Sequence, residues 1–306
     1  MKFLFFLFFC SSIAQSIPSF DIDPKLLDTN LKRFTLVPHP FGSPEQKKLS
    51  EWMIQQIHQL GWKAQVQSFT QNIPELKKNY HGQNIMTLVS INSQAKGVMI
   101  LASHYDSKDI PGYVGANDSA SSSAFLLTAL KNFRGVKDHQ AKWDFLFVWF
   151  DGEEALLPEW YDFQKRGWKT QDNTYGSRYF ISQLKPCGGA FCLPFLNHRP
   201  IQALFLSDMI GAPHAQPIIE GHSSRDLLHH VKKVSLKEGV SDFFSSTRLF
   251  IEDDHVPFLQ RGIPSINLID FTRLDHWHKK SDTLENLSQE SIRRIGRVIL
   301  KSTYTL

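Results

Sequence analysis

Trp143-Asp144-Phe145-Leu146-Phe147-Val148-Trp149-Phe150-Asp151-Gly152-Glu153-Glu154 is the stretch that decides the fold. From Trp143 to Phe150 it is almost wholly apolar and rich in aromatic residues, as a strand covered on both faces requires. It then stops on acidic residues around a glycine, so a buried strand delivers carboxylates at its carboxyl end. Outward from it, the apolar run Gly97 to Ala102 leads into His104-Tyr105-Asp106, and Ile201 to Leu206 ends at Ser207-Asp208. Pro264 to Ile269 reads as a last strand, while Trp62 to Phe69 alternates and Asn84 to Ile91 is short and apolar. Helical spacing marks Ser43 to Leu60, where Leu49, Trp52, Met53, Ile54, Ile57 and Leu60 recur before Gly61. Ser119 to Phe133, Asp226 to Glu238 and Ser288 to Thr303 read as further helices. Strands alternating with helices predict a three-layer α/β fold: a mostly parallel, mixed central sheet covered by helices on both faces. Ligands of such sheets sit outside the carboxyl ends of the strands. Asp151 to Tyr175 is expected to be a long irregular insertion, a kind of segment that more often carries function than packing.

The chain has 306 residues, 42% of them hydrophobic, which a single large α/β domain can accommodate. Met1-Lys2 followed by the apolar run Phe3 to Cys10 and the small residues Ser12-Ile13-Ala14 reads as a secretory signal over 1–14, leaving one domain over 15–306. A lipoprotein anchor at Cys10 would need small residues before the cysteine, where Phe8 and Phe9 stand. The apolar run is too short to span a bilayer, so a secreted or periplasmic monomer is expected. The net charge of +4 is too mild to suggest a nucleic-acid partner. Cys187 and Cys192 flank a Gly-rich loop, and in an oxidising compartment a small local bridge between them competes with free thiols.

Five residues carry the chemistry: His104, Asp118, Glu154, Asp208 and His278, each just after an apolar run or in the loop that follows one. Mixed imidazole and carboxylate donors suit zinc in a site that keeps a position open. A lone strand-end Asp is usually a helix cap and a lone His usually a hydrogen-bonded residue; the ordered set is what points to a metal. Adjacent residues at a strand end point to different sides, so Glu154 can ligate while Glu153 moves protons. Neighbouring carboxylates and burial would raise the pKa of Glu153 toward the operating pH.

The stretches Ser103-His104-Tyr105-Asp106-Ser107, Gly115-Ala116-Asn117-Asp118-Ser119-Ala120, Asp151-Gly152-Glu153-Glu154-Ala155, Ser207-Asp208, Asp254-His255 and Trp277-His278 together resemble the zinc aminopeptidase superfamily. The resemblance implies one metal on His104, Asp118 and Asp208, another on Asp118, Glu154 and His278, and Glu153 as general acid/base. Within that superfamily the chain is most similar to the glutaminyl cyclases. Asp253 stands where a hydrolase commonly has a small neutral residue, Trp277 precedes the ligand His278, and Trp160, Asp172 and Tyr175-Gly176-Ser177-Arg178 follow the glutamate pair. Asp208-Met209-Ile210-Gly211-Ala212-Pro213 is similar to the cyclases as well.

That likeness implies conversion of the N-terminal glutamine of peptides or proteins to pyroglutamate with loss of ammonia. One zinc (Zn2+) per chain is favoured, on Asp118, Glu154 and His278, and two are not excluded because His104 and Asp208 are present. Glu153, Asp208 and Asp253 would be catalytic, with Asp208 and Asp253 sharing a proton and hydrogen-bonding each other. Trp160 and Trp277 would wall the substrate pocket. The chain departs from the animal cyclases in lacking a cysteine beside Asp118, in a shorter span from His104 to Asp118, and in a Phe271-Thr272-Arg273-Leu274-Asp275 segment without their proline-rich character. The alternatives are a two-metal aminopeptidase, in which Glu153 activates a bridging water, and a metal-free binding ectodomain of the same fold. The intact ligand set counts against the latter. Asn117-Asp118-Ser119 and Asn286-Leu287-Ser288 match glycosylation acceptors, but the first lies within the metal motif and reads as coincidence.

Overall fold

The computed structural model describes residues 20–196 and 199–306, so the signal expected over 1–14 lies outside the described residues. Helix α1 (Pro24–Phe34) opens the described chain, capped by Asp23, which accepts from the backbone N–H groups of Lys25 and Leu26. Helix α2 (Pro44–Gln59) begins at Ser43, whose hydroxyl caps the Gln46 N–H, and it buries Leu49, Met53 and Ile57 on one stripe. Strands β1 (Ala64–Ile73) and β2 (Lys78–Val89) pair antiparallel, and β3 (Val98–His104) follows. The helix expected over Ser119 to Phe133 starts as an irregular turn at Ala116–Ser121, becomes α3 (Ser122–Ala129) and tightens into a 3-10 turn at Leu130–Phe133.

The deciding strand is β4 (Asp144–Phe150), buried along its whole length. The segment after it is less irregular than expected, since it holds the short helix α4 (Asp162–Lys165) before α5 (Tyr175–Ser182). A hairpin of β5 (Lys185–Cys187) and β6 (Ala190–Cys192) follows. There Cys187 faces Ala190 and Cys192 faces Lys185, so the two cysteines are diagonal, and both are free. The remaining elements are β7 (Ile201–Asp208), β8 (Ile219–Glu220), α6 (Arg225–Lys237), β9 (Arg248–Leu249), α7 (Val256–Gln260), β10 (Ser265–Ile269) and α8 (Gln289–Thr305).

The main sheet has the order β1-β2-β4-β3-β7-β10. β4, β3, β7 and β10 run parallel, and β2 is antiparallel to both β1 and β4, giving the mixed, mostly parallel sheet the sequence predicts. Alternation along the strands divides the core. Met99, Leu101, Phe145, Phe147, Trp149 and Phe205 pack with α1, α2, α3 and α8 on one face. Val98, Ile100, Leu146, Val148, Phe150 and Leu204 pack with Phe180 of α5 and Phe258 of α7 on the other. Each fully buried large side chain contributes about 1.5–3 kcal/mol, so a sheet apolar on both faces fixes its register strongly. Because the parallel strands share one direction, His104, Asp151 and Asp208 come out at the same edge. Among the described residues no helix is long and apolar enough to cross a membrane.

Candidate active site

At that edge two backbone devices aim the acids. Gly152 sits at φ +66, and a Cβ there would fall 2.9 Å from the Phe41 ring, so only glycine lets the chain turn from β4 into Glu153 and Glu154. Gly115, at φ +60, brings its Cα against the Asp118 carbonyl, where a Cβ would lie at 2.0 Å. Carboxylates then fix the loops. Asp106 accepts from the backbone N–H groups of Glu153 (3.0 Å) and Glu154 (3.2 Å). Asp282 accepts from those of Asn117 (2.8 Å) and Asp118 (3.2 Å). Asp172 accepts from those of Leu156 and Leu157 and from the Tyr175 hydroxyl. Asn117, buried, accepts from the Gly211 N–H through its side chain, so it braces the site instead of offering a glycosylation surface.

All five metal-donor candidates converge. His104, Asp118 and Asp208 offer donor atoms within 4.8 Å of one another, and so do Asp118, Glu154 and His278, with Asp118 common to both groups. His104 Nε2 lies 3.1 Å from Asp118 and 3.4 Å from Asp208, and His278 Nε2 lies 3.5 Å from Asp118 and 3.4 Å from Glu154. Both ring nitrogens of His104, both oxygens of Glu154 and Oδ1 of Asp208 are buried without a hydrogen-bond partner. Buried polar atoms are rarely left so, and a hard or borderline cation is the group that would engage imidazole and carboxylate together. The residues therefore fit a zinc ion. His278 and Met209 hold positive φ (52° and 49°), a backbone cost that tends to persist at functional sites.

The same carboxylates set the electrostatics of the site. Burial alone would lower the pKa of His278, but the charges of Glu154 and Asp118 outweigh it and push it up to about 10. Asp118 is held far below the usual carboxylate range despite burial, because the imidazoles of His104 and His278 lie 3.1 and 3.5 Å from it. Burial, followed by the charges of Asp253, Glu154 and Asp254, raises Glu153 well above its ordinary value even with His104 nearby. Burial first, then the charge of Asp208, raises Asp253 to about 7.

One expected contact is absent: Asp253 and Asp208 do not hydrogen-bond each other. Asp253 instead accepts from Asn267 Nδ2 (2.6 Å) and the Asp254 N–H (2.6 Å), while Asp208 turns toward His104. The two acids meet through charge, with each oxygen of Asp253 accepting from a different neighbour.

Trp160 and Trp277 line one pocket of about 200 Å³ together with Asp118, Glu153, Glu154, Asp208, Asp253 and His278. Trp277 does more than wall it. Its indole N–H donates to Asp118 (3.0 Å), and its ring stacks on His278 at 4.1 Å between centroids. Asp106, Asp282 and the buried Lys108 were not singled out from sequence. Lys108 donates to the carbonyls of Ala155 and Leu157 and lies 3.9 Å from Glu154. Asp106 sits inside the His104 motif, which was a usable signal; Asp282 and Lys108 had none.

Comparison with known proteins agrees with this geometry. The chain is 28% identical over 292 residues to the glutaminyl-peptide cyclotransferase of Drosophila melanogaster, covering 86% of this chain and 76% of that one. It is 28% identical over 285 residues to the cyclotransferase of Bos taurus, covering 84% and 75%. The crystal structure of an Acidobacteriales bacterium glutaminyl cyclase superposes with a TM-score of 0.77 at 25% identity, covering 95% of this chain and 96% of that one. The model of peptidase family M28 matches residues 84–303, a span that holds every strand end and loop supplying the donor atoms. The chain belongs to peptidase family M28.

Proposed function

We propose that the protein is a zinc-dependent glutaminyl-peptide cyclotransferase that converts the N-terminal glutamine of a peptide or protein to pyroglutamate and ammonia. The observation that carries it is the joint presence of Asp253, Trp160 and Trp277 in the pocket of the metal-donor cluster, because the donors alone would serve a peptidase equally. The similarity to cyclotransferases of Drosophila melanogaster and Bos taurus supports the same reading. Asp118, Glu154 and His278 would hold one zinc. Bound there, zinc supplies Lewis-acid polarisation of the side-chain amide carbonyl.

The chain's own residues do the rest. Glu153, kept protonatable by burial and by its acidic neighbours, takes a proton from the substrate α-amine as that nitrogen bonds to the amide carbon. It passes the proton to the amide nitrogen, whose bond to carbon breaks, and ammonia leaves. Asp208 and Asp253 hold amine and amide in attack geometry, the condition under which an intramolecular reaction gains most. The two tryptophans limit water, which would otherwise compete as nucleophile.

A second reading, a two-metal aminopeptidase, is favoured by the completeness of the His104, Asp118 and Asp208 group. One experiment separates the two: purified protein is incubated with a Gln-initiated peptide, with and without a zinc chelator, and followed by mass spectrometry alongside zinc content per chain. Loss of one ammonia, abolished by chelator at one zinc per chain, is the expected result. Release of free glutamine by a two-zinc protein would establish the peptidase.

A further inference from the structure

The pocket narrows onto the metal donors, but its mouth is built from residues that the chemistry does not use. Phe250 is 65% exposed and Tyr161 45% exposed, and both line the opening. Exposed rings at this level are usually scattered and mobile, whereas Phe250 is held. It lies over Gly221, where a Cβ would come within 2.6 Å of the ring, and the His222 ring packs edge-on against it at 5.0 Å. Two residues after Phe250 comes Glu252, which also lines the pocket. Its carboxylate accepts from Gln171 Nε2 at 2.6 Å, and after burial its charge is the next cause that raises the pKa of the Tyr161 hydroxyl.

Among the described residues, no lysine or arginine lines this pocket. Arg178 is within electrostatic reach of Glu252, but its guanidinium is committed to the carbonyls of Gln171 and Asn173. Arg248 lies over the Phe250 ring, 5.9 Å from its centroid, and is not among the residues that line the pocket. A peptide whose first residue reaches Glu153 must therefore leave the pocket past two exposed aromatic side chains and a carboxylate.

We propose that Tyr161, Phe250 and Glu252 form the subsite for the second side chain of the substrate, taking an aromatic or aliphatic side chain against the rings and rejecting an acidic one. This rests on the cyclase reading. Aromatic faces favour apolar side chains through area and ring contacts. A like charge at Glu252 disfavours an acidic one, by a modest factor because the mouth is open to solvent.

The test uses the holoenzyme with glutamine amide, which has no second residue, and with otherwise identical peptides beginning Gln-Phe, Gln-Ala and Gln-Glu. The wild type should prefer Gln-Phe to Gln-Glu. Glu252→Gln, which keeps the shape of the side chain, should raise the Gln-Glu to Gln-Ala ratio of kcat/KM roughly fivefold. Phe250→Ala should lower the Gln-Phe to Gln-Ala ratio roughly tenfold, mainly through KM. Cyclisation of glutamine amide combined with equal use of Gln-Phe and Gln-Glu, or with ratios unmoved in Glu252→Gln, overturns this subsite alone. If the wild type cyclises neither the amide nor any of the peptides, the cyclase reading fails and takes the subsite with it.

Discussion

Glu220 and Glu154 are glutamates of equal burial, 0% and 2% exposed, and their oxygens meet opposite fates. In Glu220, Oε1 accepts from the backbone N–H groups of His222 and Ile251, and Oε2 from the N–H and hydroxyl of Ser223, with His255 Nε2 at 3.0 Å. In Glu154 neither oxygen accepts a hydrogen bond, and the nearest cationic atoms are His278 Nε2 at 3.4 Å and Lys108 Nζ at 3.9 Å. The first is a finished node that ties β8, the residue after Phe250 and the Asp253-Asp254-His255 segment into one piece. The second is unfinished. A buried charge with every partner in place is scaffold, and a buried charge with none awaits a ligand.

Glu153→Gln should show the sharpest difference between the two centres. It removes the proton carrier while keeping shape, so cyclisation should fall by roughly 10²–10⁴-fold in kcat. Its stability in urea should hold or rise, because a carboxyl crowded by Asp253, Glu154 and Asp254 disappears. Glu220→Ala should do the reverse. Leaving His255 and three backbone donors without their acceptor should cost about 3–5 kcal/mol in the urea midpoint analysis. Equal stability losses for the two variants would end the distinction drawn here.

What the sequence disclosed follows the same line. Apolar runs that stop on acid or histidine expose the donors directly, so His104, Asp118, Glu154, Asp208 and His278 were legible, as was the sheet that collects them. Helix α1 was missed although Asp23-Pro24 is a helix start and Leu27, Leu31 and Phe34 keep helical spacing. Glu220 was not legible in its role because it joins the nearby N–H groups of His222 and Ser223 to that of Ile251, and Asp106 and Asp282 were not because each accepts backbone N–H groups of a loop distant in sequence. That is 47 and 48 residues away for Asp106 and as far as 165 for Asp282. Backbone donors have no sequence signature. The structure does not form the hydrogen bond expected between Asp208 and Asp253; Asp253 accepts instead from Asn267 and the Asp254 N–H.

The finer test lies in acid. Burial alone would raise the pKa of Glu220, but the His255 hydrogen bond and charge, with the backbone N–H groups of His222 and Ile251, hold it at about 2, against 4.5 for an ordinary glutamate. A group whose folded pKa is depressed stabilises the fold fully above its unfolded pKa, and that contribution drains away as the pH falls through the folded value. For Glu220 the window runs from 4.5 down to about 2. The whole contribution is about 3 kcal/mol, with only part of it lost at any pH where the rest of the protein survives. Other depressed carboxylates slope the wild-type curve as well, so the quantity to measure is the difference between wild type and Glu220→Gln in unfolding free energy as a function of pH. That difference should be largest near neutrality, constant down to about 4.5, and shrink below it. A difference that stays constant through the window would mean that Glu220 acts by shape and hydrogen bonding without its charge, and the contrast with Glu154 would then rest on hydrogen bonds alone.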